Sequence, residues 1–161
     1  MNMRKPYFSL LTLLTLLVLS CTEEIDPTPY TYTKLFTGEN SKTWKINFLE
    51  ETLNGDIIDR FSLNCATDDE YVFYANTEHS FEVSTGSRKC NEVPEANLIE
   101  DTWTFTNANA TLTMIMPFFT PDFSLPFIVR DVDKNDMELE IFYDEANTGS
   151  YRIHFEAIDE D

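Results

Sequence analysis

From Thr43 onward, apolar and polar residues alternate with the period of two that puts one face of a strand in a core and the other in water. Trp44, Ile46 and Phe48 against Lys45, Asn47 and Leu49 predict a strand over Thr43–Glu50 with those three side chains inward. Asn54-Gly55 tolerates the positive backbone dihedrals of a tight hairpin turn, so a second strand follows over Asp56–Leu63. Tyr71 and Phe73, then Phe81 and Val83, repeat the alternation on either side of Asn76-Thr77-Glu78, and Cys65 and Cys90 stand at the two ends of this hairpin. Further along, Trp103 and Phe105 define a strand over Thr102–Thr106. Leu112, Met114 and Met116 share a face of Ala110–Met116 after the Asn107-Ala108-Asn109 turn, and Phe127–Val132 resumes strand character. Met137, Leu139, Ile141 and Tyr143 alternate after a turn at Asp133–Asp136, and Tyr151, Ile153, Phe155 and Ala157 alternate after Asn147-Thr148-Gly149.

Short alternating segments joined by hairpin-sized turns predict an all-β antiparallel, up-and-down meander. Closing it into a barrel of about eight or nine strands removes the exposed edges an open sheet would carry. The only helical expectation is a short turn over Tyr32–Phe36 ending near Gly38. Two stretches break the pattern. Asn91–Glu100 contains Pro94 and has no period, so it is expected to be a loop. Pro117–Pro126 carries Phe118, Phe119, Phe123 and Leu125 among three prolines, which make it a poor central strand. It is expected to cross the barrel's end, either plugging it or, with Phe127, lining the rim of an apolar pocket.

The N-terminal segment changes the address. Arg4 and Lys5 precede an uncharged apolar run over Tyr7–Leu19, shorter than the ~20 residues a membrane-spanning helix needs, so residues 1–20 read as an export signal. Val18-Leu19-Ser20-Cys21 resembles the lipobox of bacterial lipoproteins, which implies that Cys21 becomes the lipidated first residue of the mature chain. With Cys21 so used, Cys65 and Cys90 are the remaining pair, and a disulfide between them suits an exported protein. Residues 21–31 are expected to be the acylated cysteine and a flexible linker, and residues 32–161 the barrel domain. The acidic run Thr22-Glu23-Glu24-Ile25-Asp26 resembles the surface-export signals of Bacteroidetes lipoproteins, which implies a cell-envelope protein of the outer membrane, exposed at the surface.

Charge narrows the partners. Loss of residues 1–20 removes Arg4 and Lys5 and no acid, taking the formal charge from −18 to −20. Nucleic acid and anionic lipid both call for clustered Lys or Arg, so the expected membrane contact is the lipid alone and the domain itself is expected to be soluble and monomeric. His79 and His154 lie on separate strands and no thiol is left free, so neither an enzyme nor a metal centre is expected. Asp131–Asp136 opens like a calcium loop, but Asp136 stands where glycine is needed and Phe142 where a bidentate Glu is needed. No cofactor is expected.

Lys42-Thr43-Trp44 in the first strand, followed by Cys65, Asp68, Asp69, Tyr71 and Phe73, resembles the lipocalin-like lipoproteins of Bacteroidetes, over most of residues 32–157. The resemblance implies a calycin-type cup in which a basic residue of the last strand, here Arg152, packs over Trp44. The alternation of the last strand instead sets Arg152 opposite in face to Tyr151 and Ile153. Two functions are open. One is a lipid-anchored protein that binds a small apolar ligand; the other is a solidly packed module that meets another envelope protein through its acidic surface. Large inward residues fill a small barrel, and this chain's inward sets are large.

Overall fold

The computed structural model describes residues 29–90, 98–108 and 110–158. The predicted leader, Cys21 and most of the linker lie outside the described residues, as do Asn91–Asn97. A helix α1 (Pro29–Thr37) is followed by ten strands: β1 (Ser41–Leu53), β2 (Asp56–Phe61), β3 (Glu70–Tyr74), β4 (Ser80–Ser84), β5 (Leu98–Thr102), β6 (Thr104–Thr106), β7 (Thr111–Met116), β8 (Thr120–Val132), β9 (Asp136–Phe142) and β10 (Gly149–Ala157). All pairings are antiparallel, in the spatial order β5-β4-β3-β1-β10-β9-β8-β7-β6, with β2 hydrogen-bonded to β1 off this path. The two ends of the sheet are consecutive in the chain and meet at Trp103, whose N–H donates to His79 O at 2.9 Å. The meander is thus nearly closed into a barrel, a form compatible with a calycin-like fold.

The predicted turn chemistry explains the hairpins. Asn54 and Gly55 have φ of 53° and 88°, and Asn107, Ala108 and Asn147 also lie in the left-handed region. At Gly149 a Cβ would lie 2.4 Å from the end of the Tyr143 ring, so a side chain there would push Tyr143 from its place. Asp144 holds the same turn by accepting from Thr148 N at 2.8 Å and Gly149 N at 3.1 Å. Asp133 does likewise for Asn135 N and Asp136 N, so the segment with calcium-loop character is a turn held by its own carboxylate.

The core is aromatic. Trp44, Tyr71, Phe73, Phe81, Trp103, Phe127 and Phe155 are all fully buried, with Ile46, Leu49, Leu112, Met114 and Leu139 between them. Phe48 does not join them. The β1–β10 register shifts between Ile46 and Phe48, a bulge at Asn47, so Phe48 pairs with His154 on the outer face and stacks on its ring at 4.2 Å. Leu49 takes the inward place instead.

Two other expectations are corrected. The strand character around Trp103 begins at Leu98, so Leu98–Glu100 belong to β5 and pair with β4. Pro117–Pro126 is not a loop across the barrel's end: after a turn closed by Phe119 N to Met116 O at 3.0 Å, β8 begins at Thr120 and includes Pro121 and Pro126. The prolines fit because this half of β8 pairs with β7 alone, the β9 pairing starting at Ile128. Pro121 further sits in the register break between Met114 and Met116, where no ladder bond is asked of it.

Candidate functional site

One end of the barrel is sealed by α1. Gly38, at φ 66°, ends the helix and donates to Lys34 O at 2.9 Å. Phe36 is thereby carried into the barrel, against Phe73 at 4.1 Å and against Trp103 and Phe105 at 5.1 Å between ring centroids. Trp44 Nε1 donates to Phe36 O at 2.9 Å, which satisfies the buried indole. The cation over Trp44 is Lys42, with Nζ 4.0 Å from the ring centroid while it donates to Leu35 O and Lys134 O at 2.7 and 2.6 Å. Lys42 and Trp44 are two apart on one strand and so share a face. The signal for this pair was therefore present in the sequence. Two open clefts of about 420 and 330 Å³ flank α1 outside the barrel.

Arg152, expected over Trp44, lies on the outer face, where Nε is 3.4 Å from Glu140 and 3.8 Å from Glu138. It belongs to a ladder of charges across β2, β1, β10, β9 and β8. Glu50 and Glu140 are buried there, at 2% exposure each. Arg60 and His154 face Glu50, while Arg130, Arg152 and Ser150 face Glu140. Burial pushes the Glu50 carboxyl up, but the bonds from Arg60 and the field of His154 outweigh it and hold the group below its ordinary value. Burial of Glu140 is likewise outweighed, by Ser150 and Arg130.

The other end of the barrel is the mouth. Phe118 and Phe119 pack on each other at 4.3 Å, and Tyr151 bridges Phe119 at 5.9 Å, Tyr143 at 5.0 Å and Phe61 at 6.4 Å. Tyr143 Oη donates to Glu51 at 3.0 Å. Of the five apolar residues expected to plug or line this region, Phe127 is wholly buried and belongs to the core. Phe118, Phe119 and Leu125 are partly buried against that core, and Phe123 is 58% exposed. The mouth's further aromatic residues, Phe61, Tyr143 and Tyr151, come from three separate strands or turns. Period-two alternation marks such residues as inward and does not distinguish the middle of a strand from its end.

Beside the mouth, Cys65 and Cys90 are joined by a disulfide with Cα atoms 4.9 Å apart. Under it lies Asp69, 3% exposed, accepting from Gly86 N at 2.8 Å. Burial raises the Asp69 carboxyl to about 6, with Asp68 adding repulsion and the Gly86 N–H tempering it. Gly86 admits no side chain, since a Cβ would meet Asp68 at 2.2 Å. Among the described residues no group of three His, Cys, Asp or Glu side chains is placed to hold a metal ion.

The fold and its two ends define a small, densely filled antiparallel barrel with a helical seal and an aromatic mouth. Compared with known proteins, the chain matches no family model and no curated protein.

Proposed function

We propose that this protein is an envelope lipoprotein, held to the outer membrane by lipid on Cys21, that works through its surface as an acidic interaction module of lipocalin-like form. The observation that carries the reading is the filled interior: eight aromatic side chains, Phe36, Trp44, Tyr71, Phe73, Phe81, Trp103, Phe127 and Phe155, are each under 2% or at 2% exposure inside the barrel. A barrel of about eight strands has an interior just wide enough for side chains to fill, and these fill it. What remains for recognition is a surface of strongly negative charge, which attracts and orients a basic partner.

The half-exposed aromatic residues of the mouth favour a second reading, in which Phe118, Phe119, Tyr143 and Tyr151 hold a small apolar ligand. Native mass spectrometry of the protein purified without added ligand separates the two. A bare protein mass, with unchanged melting when a hydrophobic dye is added, fits the interaction module. A retained small molecule that is lost in Phe119→Ser overturns it in favour of the mouth. Anchoring is tested by Cys21→Ala, which should release the protein from membranes; a variant that stays bound after a high-salt wash would place the anchor elsewhere.

A further inference from the structure

An edge strand presents unpaired N–H and C=O groups on which another chain can build, and proteins guard such edges with prolines, charges or bulges. Among the described residues four stretches pair with a strand on one side only: β5 and β6, the two ends of the sheet that meet at Trp103, the first half of β8, and β2. The first half of β8 is guarded by Pro121, Pro126 and its register break. β2 pairs with β1 alone; it carries the charges of Asp56, Asp59 and Arg60 and a register shift of its own against β1, but it has no proline and exposes Ile57 at 52% and Ile58 at 55%. Its base is fixed by Arg60 on Glu50 and over the Phe48 ring at 4.6 Å, and by Phe61 against Tyr151. The strand is thus held in place at one side and open at the other.

We propose that the free edge of β2 accepts an extended segment of a partner protein as an added strand, in which apolar residues alternate with Lys or Arg. Main-chain hydrogen bonds would supply the common contact, as in other strand additions. The exposed Ile57 and Ile58 would take the apolar side chains, and Asp56 and Asp59, both exposed, the basic ones. The same acids argue against a second copy of this chain. Antiparallel self-pairing centred between Ile57 and Ile58 sets Asp56 opposite Asp59 in both directions, and like charges directly opposed are destabilising. The proposal rests on the reading of the protein as an acidic interaction module and names its contact.

The probe is a synthetic blocked peptide, Lys-Val-Lys-Val-Lys-Val, beside the same peptide with alternate backbone nitrogens methylated, which keeps the charge and removes donors. The unmethylated peptide should bind and slow hydrogen exchange at β2 amides but not in the first half of β8. Methylation should weaken binding on the order of tenfold or more, the loss expected for two or three hydrogen bonds. Ile57→Thr with Ile58→Thr, which removes the apolar contacts without adding charge and keeps β-branched side chains, should do the same while leaving the melting temperature close to that of the unaltered protein. Equal binding of both peptides to the unaltered protein overturns the strand addition and leaves the acidic-surface reading standing. Failure of both peptides to bind at low ionic strength overturns both.

Discussion

At the end of the barrel where β1 begins, α1 delivers Phe36 into the core and its last carbonyls receive Lys42 and Trp44. At the end where β1 finishes, Phe118, Phe119, Tyr143 and Tyr151 meet chiefly one another and stay partly in water. Both ends are aromatic, so composition does not separate them. What separates them is whether an element lies across the opening: a helix buries its rings against the barrel, whereas a three-residue turn at Pro117–Phe119 cannot. The mouth is held instead by local constraint, the Cys65–Cys90 disulfide on one side and the Asp144-bound turn on the other. The sealed end should therefore respond most to lost volume, and the mouth to lost cross-links and to pH.

The largest effect is expected at the seal. Phe36→Ala removes a fully buried ring that touches three others, and truncations of this kind cost about 3 to 5 kcal/mol. Urea unfolding should show the loss as a lower midpoint with an unchanged slope. A loss under about 1 kcal/mol would mean that the helix does not hold the barrel shut.

At the mouth, replacing Cys65 and Cys90 by Ser frees a loop of sequence separation 25. The loop-entropy estimate is roughly 3.5 kcal/mol, an upper figure for a native cross-link of this length. The β-sheet signal in circular dichroism should survive at low temperature, because both cysteines lie outside the strands. Thiol titration of the unfolded, unreduced protein is the direct check, and two reactive thiols would contradict the pairing.

Much of this contrast was legible in the sequence, and what was not has identifiable causes. Alternation located the strands, and Asn54-Gly55 marked a turn whose positive φ values it was chosen to suit. Phe48 was misplaced because Phe48-Leu49 is apolar at both positions, so a bulge that exchanges their faces leaves no mark in the pattern. Pro121 and Pro126 argued for a loop, but prolines oppose only a strand that must donate on both sides, and pairing on one side is a tertiary fact. The seal was read as a brief helical turn because its apolar residues Leu35 and Phe36 span less than one turn of helix. That Phe36 closes the barrel follows only from where the helix is seated.

A smaller and reversible effect is expected from Asp69. Its native carboxyl titrates near 6 against an ordinary 3.8, so the folded state holds the proton more tightly than the unfolded state does. That contribution is complete at low pH and is lost as the pH rises from about 4 to 6, by on the order of 3 kcal/mol at most. Glu50 and Glu140, held below 4.5, act in the opposite sense: their contribution is present above that value and disappears as the pH falls through their lowered native values. Asp69→Asn keeps an acceptor for Gly86 N and should flatten the urea midpoint between pH 4 and 6, leaving the acid limb in place. A variant whose profile still falls across that window would locate the titration in another group.

The smallest effect is expected from Phe123, a residue that looked as apolar and as central as any in its segment. Phe123 and Phe127 lie on the same strand four residues apart, and therefore on the same nominal face, yet one is 58% exposed and the other wholly buried. Phe123 lies inside the register break of β8, between Thr120 and Leu125, where the chain runs without a ladder, whereas Phe127 is paired with Leu112. Phe123→Ser should accordingly change stability by no more than about 0.5 kcal/mol, as for other surface positions, while Phe127→Ala should lose about 3 to 5 kcal/mol. Measured side by side in urea, the pair tests whether the apolar character of this segment serves the core along its whole length or only from Leu125 onward. A loss of 2 kcal/mol or more in Phe123→Ser would require that ring to be covered in solution, and would extend the hydrophobic core into the β8 register break.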